Sequence, residues 1–278
     1  MVGFMKLALV TPLLLGAEAA RWAAAPPAGN LRADSAKAAV KIVNATVPVG
    51  AIQSKTAAPC QCVTSDPTWV APTRTVPRCL FIDLGAANGN TLQSFLNNGY
   101  GPVANCPNGG EWHAVLVEAN PRFMPELTAV QQQYGAKVQN LGAHAAYDCE
   151  GQTSFYLDTV TAEHNYWGSS MSGNAPDVKN SGLQKVTVPT LNVNKLLFEN
   201  TIPGDYAIVK MDIEGAEWDV VPCMAQSPSA KLMDALYVEV HDVSLGLTGT
   251  TQQGFDQAKA SLQAQGVNIP NYWTPTTL

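Results

Sequence analysis

Clusters of basic residues are absent from this chain of 278 residues. Lys and Arg together number 16 against 22 Asp and Glu, the formal net charge is −6, and charged residues make up only 14% of the sequence. Because binding to nucleic acid depends on counterion release at clustered Lys and Arg, this composition argues against RNA or DNA as a partner.

A membrane-spanning run is also absent. The apolar stretch at 7–15 is shorter than the roughly 20 residues of a spanning helix, and Glu18 closes it. Lys6 precedes the stretch and the small residues of Ala17-Glu-Ala19 follow it, a pattern typical of a cleaved secretory signal. We therefore interpret residues 1–19 as a signal peptide and predict no stable membrane insertion after cleavage. An uncleaved N-terminal anchor of a Golgi-type enzyme is the alternative.

Residues 20–76 are rich in Ala, Pro and Thr and lack a periodic apolar face. Such a segment cannot bury enough apolar surface to offset its ordering entropy, so it is interpreted as a stem or linker. Its sequon, Asn44-Ala-Thr46, agrees with glycosylation in the secretory pathway. The folded domain is accordingly placed at 77–278, in a protein of the Golgi lumen or one that is secreted.

The even number of cysteines agrees with that compartment, because pairs of cysteines in secreted chains favour disulfides. The sequence does not select a pairing. A zinc site is not favoured, since Cys60-Gln-Cys62 is too tight for the usual ligand spacing. The six positions are Cys60, Cys62, Cys79, Cys106, Cys149 and Cys223.

The phosphate-binding motifs of common nucleotide folds are missing as well. No Gly-Lys-Ser or Gly-Lys-Thr occurs, and the glycine turn after the apolar run 79–84 has Ala87 where a dinucleotide motif has its second glycine. What is present is an acid, Asp83, followed by Gly85, Asn88 and Gly89. Glycines at such a turn let the backbone approach a ligand closely.

A second acid, Glu118, follows the apolar run 114–117. An acid at the end of the second strand of such a unit typically binds the two hydroxyls of a ribose. Two acids and an open glycine turn fit a ligand with adenine, ribose and an amino acid tail but no phosphates, which describes S-adenosylmethionine. The alternative is an ordinary strand-turn-helix of an α/β protein.

Apolar runs and helical patterns alternate along the rest of the chain, which predicts an α/β fold with a doubly wound, mostly parallel sheet. An antiparallel pair is predicted at 153–157 and 184–188. The predicted main strands are 79–84, 113–117, 137–144, 206–212 and 234–240, and the predicted helices are 91–97, 121–134, 191–200 and 252–265.

The last two main strands carry titratable residues at their carboxyl ends, where ligands bind in open α/β sheets. Lys210 and Asp212 share one side of the first by two-residue alternation, and Glu239 and His241 share one side of the second. His241 is the predicted general base, because an imidazole near its free pKa suits neutral pH, and Asp212 is the second candidate. Alternatives are a capped His241 at a strand end and a buried ion pair of Lys210 with Glu239 or Asp212.

A metal ion is not predicted. Asp212, Glu239 and His241 could bind Mg²⁺ or Ca²⁺, but nothing in the local spacing selects such a site. Glu214 and Glu217 are interpreted as first-turn acids of a helix, where they also stabilise its dipole.

The whole pattern resembles the FkbM-type family of S-adenosylmethionine-dependent methyltransferases over about residues 78–245. The segment 81–89 is similar to its first motif and 117–121 to its second. Its most diagnostic segment, Lys-x-Asp-x-Glu-Gly-x-Glu, is matched from Lys210 to Glu217. The family's Thr-Leu-Asp here ends in Asn192, a departure from the pattern.

The resemblance implies a class I methyltransferase (Rossmann-like) fold and methyl transfer to a hydroxyl of a sugar or natural product. Gly85 would face the methionine part and Glu118 the ribose, while Gly142 and Ala143 would border the adenine. Asp212 would lie near the amino acid tail or the acceptor. In addition, Ser169 and Ser170 lie in a stretch that could line the acceptor pocket.

Three hypotheses of function follow. The first is an O-methyltransferase of the secretory pathway that acts on a glycan or another hydroxylated acceptor. The second is a secreted binding module that keeps the fold without catalysis, and the third is an O-methyltransferase of a small lipid or polyketide hydroxyl. Luminal activity would require transport of a donor that is made in the cytosol.

Overall fold

A computed structural model describes residues 58–100 and 106–271 of the chain. The predicted signal peptide, the first part of the predicted stem and the Asn44 sequon lie outside these residues. Within the described part, no helix combines the length and apolar character that a membrane crossing requires.

A five-stranded parallel sheet forms the centre of the domain. Its strands are β1 (Arg78–Leu84), β2 (Glu111–Glu118), β3 (Val138–Gly142), β7 (Tyr206–Met211) and β8 (Ala235–Val238), in the order β3-β2-β1-β7-β8. The sheet order reverses at β1, so the chain winds outward in both directions. The predicted doubly wound α/β fold is confirmed.

Alternating residues of β1 belong to two hydrophobic clusters, one on each face of the sheet. Leu80 and Ile82 pack in one cluster, and Cys79 and Phe81 in the other. Burial on both faces explains why this strand reads as a continuous apolar run. The helices are α1 (Asn90–Leu96), α2 (Met124–Tyr134), α3 (Pro176–Asn180), α4 (Val193–Asn200), α5 (Glu217–Met224) and α6 (Gln252–Ala264).

A second sheet of three strands has the order β4-β6-β5, from β4 (Ala145–Tyr147), β5 (Gly151–Tyr156) and β6 (Lys185–Asn192). β5 and β6 are antiparallel, as predicted, whereas β4 and β6 are parallel. The predicted strand 137–144 is too long, because β3 ends at Gly142 and the chain turns at Ala143, with φ of 57°, before it continues in the second sheet as β4.

Asn192 ends β6 and caps α4. Its side-chain oxygen accepts hydrogen bonds from the backbone N–H groups of Asn194 and Lys195, at 2.8 and 3.3 Å. Its amide nitrogen donates to the Val63 carbonyl at 2.9 Å. An aspartate could cap the helix but has no N–H to donate, so the departure from the family pattern has a structural role here.

Residues 58–76, which the sequence analysis assigned to the stem, are held against the domain. Disulfides join Cys60 to Cys149 and Cys62 to Cys223, and the Val63 N–H donates to the Asp148 carbonyl at 2.9 Å. A third disulfide joins Cys79 to Cys106, so none of the six cysteines is free. Disulfides of this kind are typical of oxidising compartments.

Candidate active site

The turn after β1 forms the floor of a cavity at the carboxyl edge of the main sheet. Gly85, with φ of 82°, donates its N–H to the Val117 carbonyl at 2.9 Å. A Cβ at this position would overlap the backbone oxygen of Asp212, so only glycine allows β1 and β7 to approach here. Gly85 and Ala87 both line the cavity.

Glu118 lines the same cavity from the end of β2 and is only 7% exposed. One carboxylate oxygen accepts from the Asn120 N–H at 2.6 Å, and the other accepts from the Ala87 N–H at 2.8 Å. Burial raises the pKa of this carboxyl to about 7, although both hydrogen bonds oppose the shift. Since a carboxylate offers about four acceptor positions, it can still receive two hydroxyl donors.

Other residues predicted to bind the cofactor do not line the cavity. Asp83 is fully buried behind it, where it accepts from Thr91 and pairs with Lys210 at 3.3 Å. Burial raises the pKa of Asp83, against the opposing effect of Lys210. Gly89 begins α1 and faces Val130 of α2.

Two further positions support the cavity rather than line it. The Asn88 side chain accepts from the Asn90 N–H at 3.2 Å and so shapes the glycine turn. Ala143 makes the turn between β3 and β4, and the cavity is instead lined by the three residues after it, beginning with His144.

Lys210 connects the floor of the cavity to its far side. Its ammonium is 1% exposed, donates to the Gly85 carbonyl at 2.6 Å and lies 3.6 Å from Asp212. Burial alone would lower its pKa, but Asp83 and Asp212 outweigh that effect and raise it. The predicted ion pair of Lys210 with Asp212 is thereby confirmed.

Three carboxylates, Asp212, Glu214 and Glu239, line the far side of the cavity, and we call them the acidic wall. They are brought together because β7 and β8 are parallel neighbours, with Met211 opposite Val238. The prediction that Glu214 lies in the first turn of a helix is wrong. Glu214 lies in a turn, with φ of 53°, and the Ser170 hydroxyl donates to its backbone carbonyl at 2.5 Å.

His241 lies behind the acidic wall. Its Nδ1 is 2.9 Å from Glu217, and its Nε2 is 3.4 Å from Glu214 and 3.8 Å from Asp212. Burial lowers the pKa of His241, but the hydrogen bonds to Glu214 and Glu217 outweigh it and raise the pKa to about 11. The reason for choosing His241 as a neutral base is therefore wrong, because this imidazole is charged at neutral pH.

Two aromatic residues, Tyr166 and Trp167, also line the cavity. Tyr166 is covered by the Arg122 guanidinium, 3.5 Å from its ring centroid, while Trp167 is 46% exposed. Ser169 also lines the cavity and accepts from the Asn120 amide at 3.1 Å, whereas Ser170 does not line it. Sequence reasoning missed Asn120, because a residue after a strand carries no signal of its own in a single sequence.

The chain is similar to known methyltransferases in two comparisons. The family model described as methyltransferase FkbM domain matches residues 83–260. A crystal structure of methyltransferase FkbM from Methylobacillus flagellatus KT aligns at 13% identity with a TM-score of 0.38, covering 68% of this chain. The alignment spans 38% of that protein's own chain. No curated protein matches the sequence.

Proposed function

The chain belongs to the FkbM methyltransferase family, and we propose that it is an S-adenosylmethionine-dependent O-methyltransferase. The observation that carries this proposal is the placement of Glu118. A buried carboxylate at the end of β2 lines the same cavity as the glycine turn and the acidic wall. We assign Glu118 to the ribose and the acidic wall to the acceptor, within one cavity.

The residues that line the cavity fit S-adenosylmethionine. Glu118 offers acceptor positions to two ribose hydroxyls, and Gly85 leaves the floor open to a chain without phosphates. Ala145, Ala146 and Phe155 supply an apolar surface next to His144, as an adenine ring requires. When bound, the cofactor supplies a methyl group on a positively charged sulfur.

The chemistry that remains for the protein is alignment and proton removal. A carbon–oxygen bond forms to the acceptor as the carbon–sulfur bond breaks, and the hydroxyl proton has to leave. Since His241 is already protonated, a carboxylate of the acidic wall is the proton acceptor, and Asp212 is the proposed base. Lys210 holds Asp212 in place through their ion pair.

We further propose that the acceptor is a hydroxylated substrate of the secretory pathway, such as a glycan. Trp167, an exposed residue that lines the cavity, offers a flat apolar face, and the acidic wall of the same cavity offers hydrogen-bond acceptors. A sugar presents both an apolar ring face and hydroxyl donors, so it suits this pair of surfaces. Three disulfides support a luminal or extracellular location.

The non-catalytic alternative loses one of its reasons. The departure from the family pattern at Asn192 favours a non-catalytic binding module, but Asn192 caps α4 and donates to the Val63 carbonyl, so asparagine has a structural role at this position. Action on a small lipid or polyketide hydroxyl remains an alternative for the acceptor, and product mapping distinguishes it from glycan methylation.

The test uses the whole secreted chain with labelled methyl donor and a pool of secretory glycans. We expect label in the glycans, and we expect Asp212→Asn to lower the rate by at least about 100-fold while S-adenosylhomocysteine binding changes little. An unchanged rate in Asp212→Asn would refute the assigned base. Folded wild-type protein that binds no S-adenosylhomocysteine in calorimetry would refute the proposed function.

A further inference from the structure

We propose that Asp212, Glu214 and His241 form a binding site for a divalent metal ion at the acceptor side of the cavity. One atom from each residue, a carboxylate oxygen or the imidazole Nε2, lies within 4.8 Å of the other two. Nε2 is 3.4 Å from the Glu214 oxygen and 3.8 Å from the Asp212 oxygen. The three residues come from the loop after β7 and from the chain just beyond β8.

The orientation of the imidazole is fixed by a carboxylate that is not a proposed ligand. Glu217 is completely buried, and one of its oxygens accepts from Nδ1 at 2.9 Å and from the backbone N–H of His241 at 2.8 Å. Nδ1 therefore carries a proton, and Nε2 faces the two carboxylates. A histidine that binds a metal through one nitrogen and donates to a carboxylate from the other is a recurring arrangement in metal sites.

The distances between the ligand atoms are close to those that an ion requires. Neighbouring ligands about 2.1 Å from a six-coordinate ion are about 3 Å apart, so Nε2 needs to approach each carboxylate by less than about 1 Å, and the two carboxylates need to approach each other by less than about 2 Å. Binding exchanges the proton on Nε2 for the ion. The backbone carrying Glu214 is fixed by the hydrogen bond from Ser170, which keeps its carboxylate in this position.

The donor set selects the kind of ion. Two carboxylate oxygens suit Mg²⁺, Ca²⁺ and Mn²⁺, while an imidazole nitrogen suits transition metals. Mn²⁺ accepts both kinds of ligand, so it is the ion we assign. Asp212 and Glu214 also line the cavity, which leaves the remaining coordination positions open toward a substrate.

The role of the ion rests on the proposed function. A hydroxyl oxygen of the acceptor would occupy an open position, where the ion lowers the pKa of the hydroxyl and fixes its oxygen for attack on the methyl carbon. Asp212 binds the ion through one carboxylate oxygen, and its other oxygen accepts the hydroxyl proton, so Asp212 remains the proposed base. The sequence analysis named Glu239 with Asp212 and His241 as possible ligands, and the proposed site has Glu214 in place of Glu239.

The experiment titrates Mn²⁺ into the intact secreted protein, without cofactor, and follows the loss of the free-ion signal by electron paramagnetic resonance. We expect saturable binding of one ion to the wild-type protein, weakened at least about tenfold in Glu214→Gln. The matched control is Glu239→Gln, which removes the same charge from the same wall and is expected to change the affinity by less than about threefold. Thermal unfolding confirms that each variant is folded, and Asp212→Asn replaces Glu214→Gln if that variant is not.

Each outcome decides the proposal. Binding that is lost with Glu214 and kept with Glu239 supports it. An absence of binding by folded wild-type protein overturns it, and so does an equal loss in the two variants, which would show a diffuse charge effect. Calorimetry of S-adenosylhomocysteine without metal tests the proposed function separately, so failure of the metal site and failure of the methyltransferase assignment give different results.

Discussion

Replacement of Glu118 by glutamine tests whether the cavity binds the proposed cofactor through this carboxylate. The variant keeps the shape of the side chain and removes its charge. A hydrogen bond to a charged group contributes about 1.5 to 3 kcal/mol, so losing the charge-assisted contact to one ribose hydroxyl weakens binding by about 10-fold to 150-fold. The measurement is the dissociation constant of S-adenosylhomocysteine by calorimetry at pH 8.5.

The pH dependence of binding tests the role of the Glu118 carboxylate independently. Burial raises its pKa to about 7, so the carboxyl is ionised above that pH and protonated below it. At pH 5.5 only about 3% remains ionised, and a site that requires the carboxylate binds about 30-fold more weakly there than at pH 8.5. The glutamine variant has no such group, so its affinity should stay constant over this range.

Two controls separate cofactor binding from folding. In Glu118→Gln one of the N–H groups of Ala87 and Asn120 faces the amide nitrogen, which costs about 1 to 3 kcal/mol of stability. Urea unfolding therefore accompanies every titration. Glu239→Gln removes a charge from the acidic wall and should leave the affinity within about threefold. Equal affinity of Glu118→Gln and wild type, or the same pH dependence in both, would refute the reasoning.

Two further predictions concern stability. Gly85→Ala should destabilise the domain by more than about 3 kcal/mol in urea unfolding, because its Cβ meets the Asp212 carbonyl, whereas Gly182→Ala, with φ of 72° but open space around it, should cost only about 1 to 2 kcal/mol. Similar losses in both would contradict the packing argument. Burial and then Asp219 raise the pKa of Asp148 from 3.8 to about 7, so the folded state binds this proton more tightly and stability falls as pH rises through that range, by up to about 4 kcal/mol. Asp148→Asn should be more stable than wild type at pH 8 with most of this pH dependence gone, and a wild-type pH slope in the variant would count against it.

The main sheet could be predicted because its signals are local. Each parallel strand is buried on both faces and reads as a short apolar run, and the glycine turn after β1 lies next to the strand that it ends. The second sheet was only half predicted. β4 is three residues long and belongs to another sheet than β3, which a turn at Ala143 decides and no periodicity in so short a segment can show.

The acidic wall shows where reading a single chain fails. Asp212 and Glu239 were correctly placed at one edge of the sheet, because the ends of parallel strands meet there. The state of His241 was predicted wrongly, since its pKa depends on Glu214 in the turn after β7 and on Glu217 at the start of α5. In the sequence both acids fit the first turn of a helix, and no local pattern shows that they contact the His241 imidazole.

The sequence by itself determined the class of the fold, the strand that carries the glycine turn, the second acid at Glu118 and the even set of cysteines. These features depend on residues close together in the chain, where alternation and turn chemistry act. The tertiary structure alone decided the disulfide pairs, the attachment of residues 58–76 and the residues that face the cavity. Cys62 and Cys223, for example, are 161 residues apart. Such contacts depend on how the crossovers stack and how side chains are buried, so no local pattern in the chain can specify them.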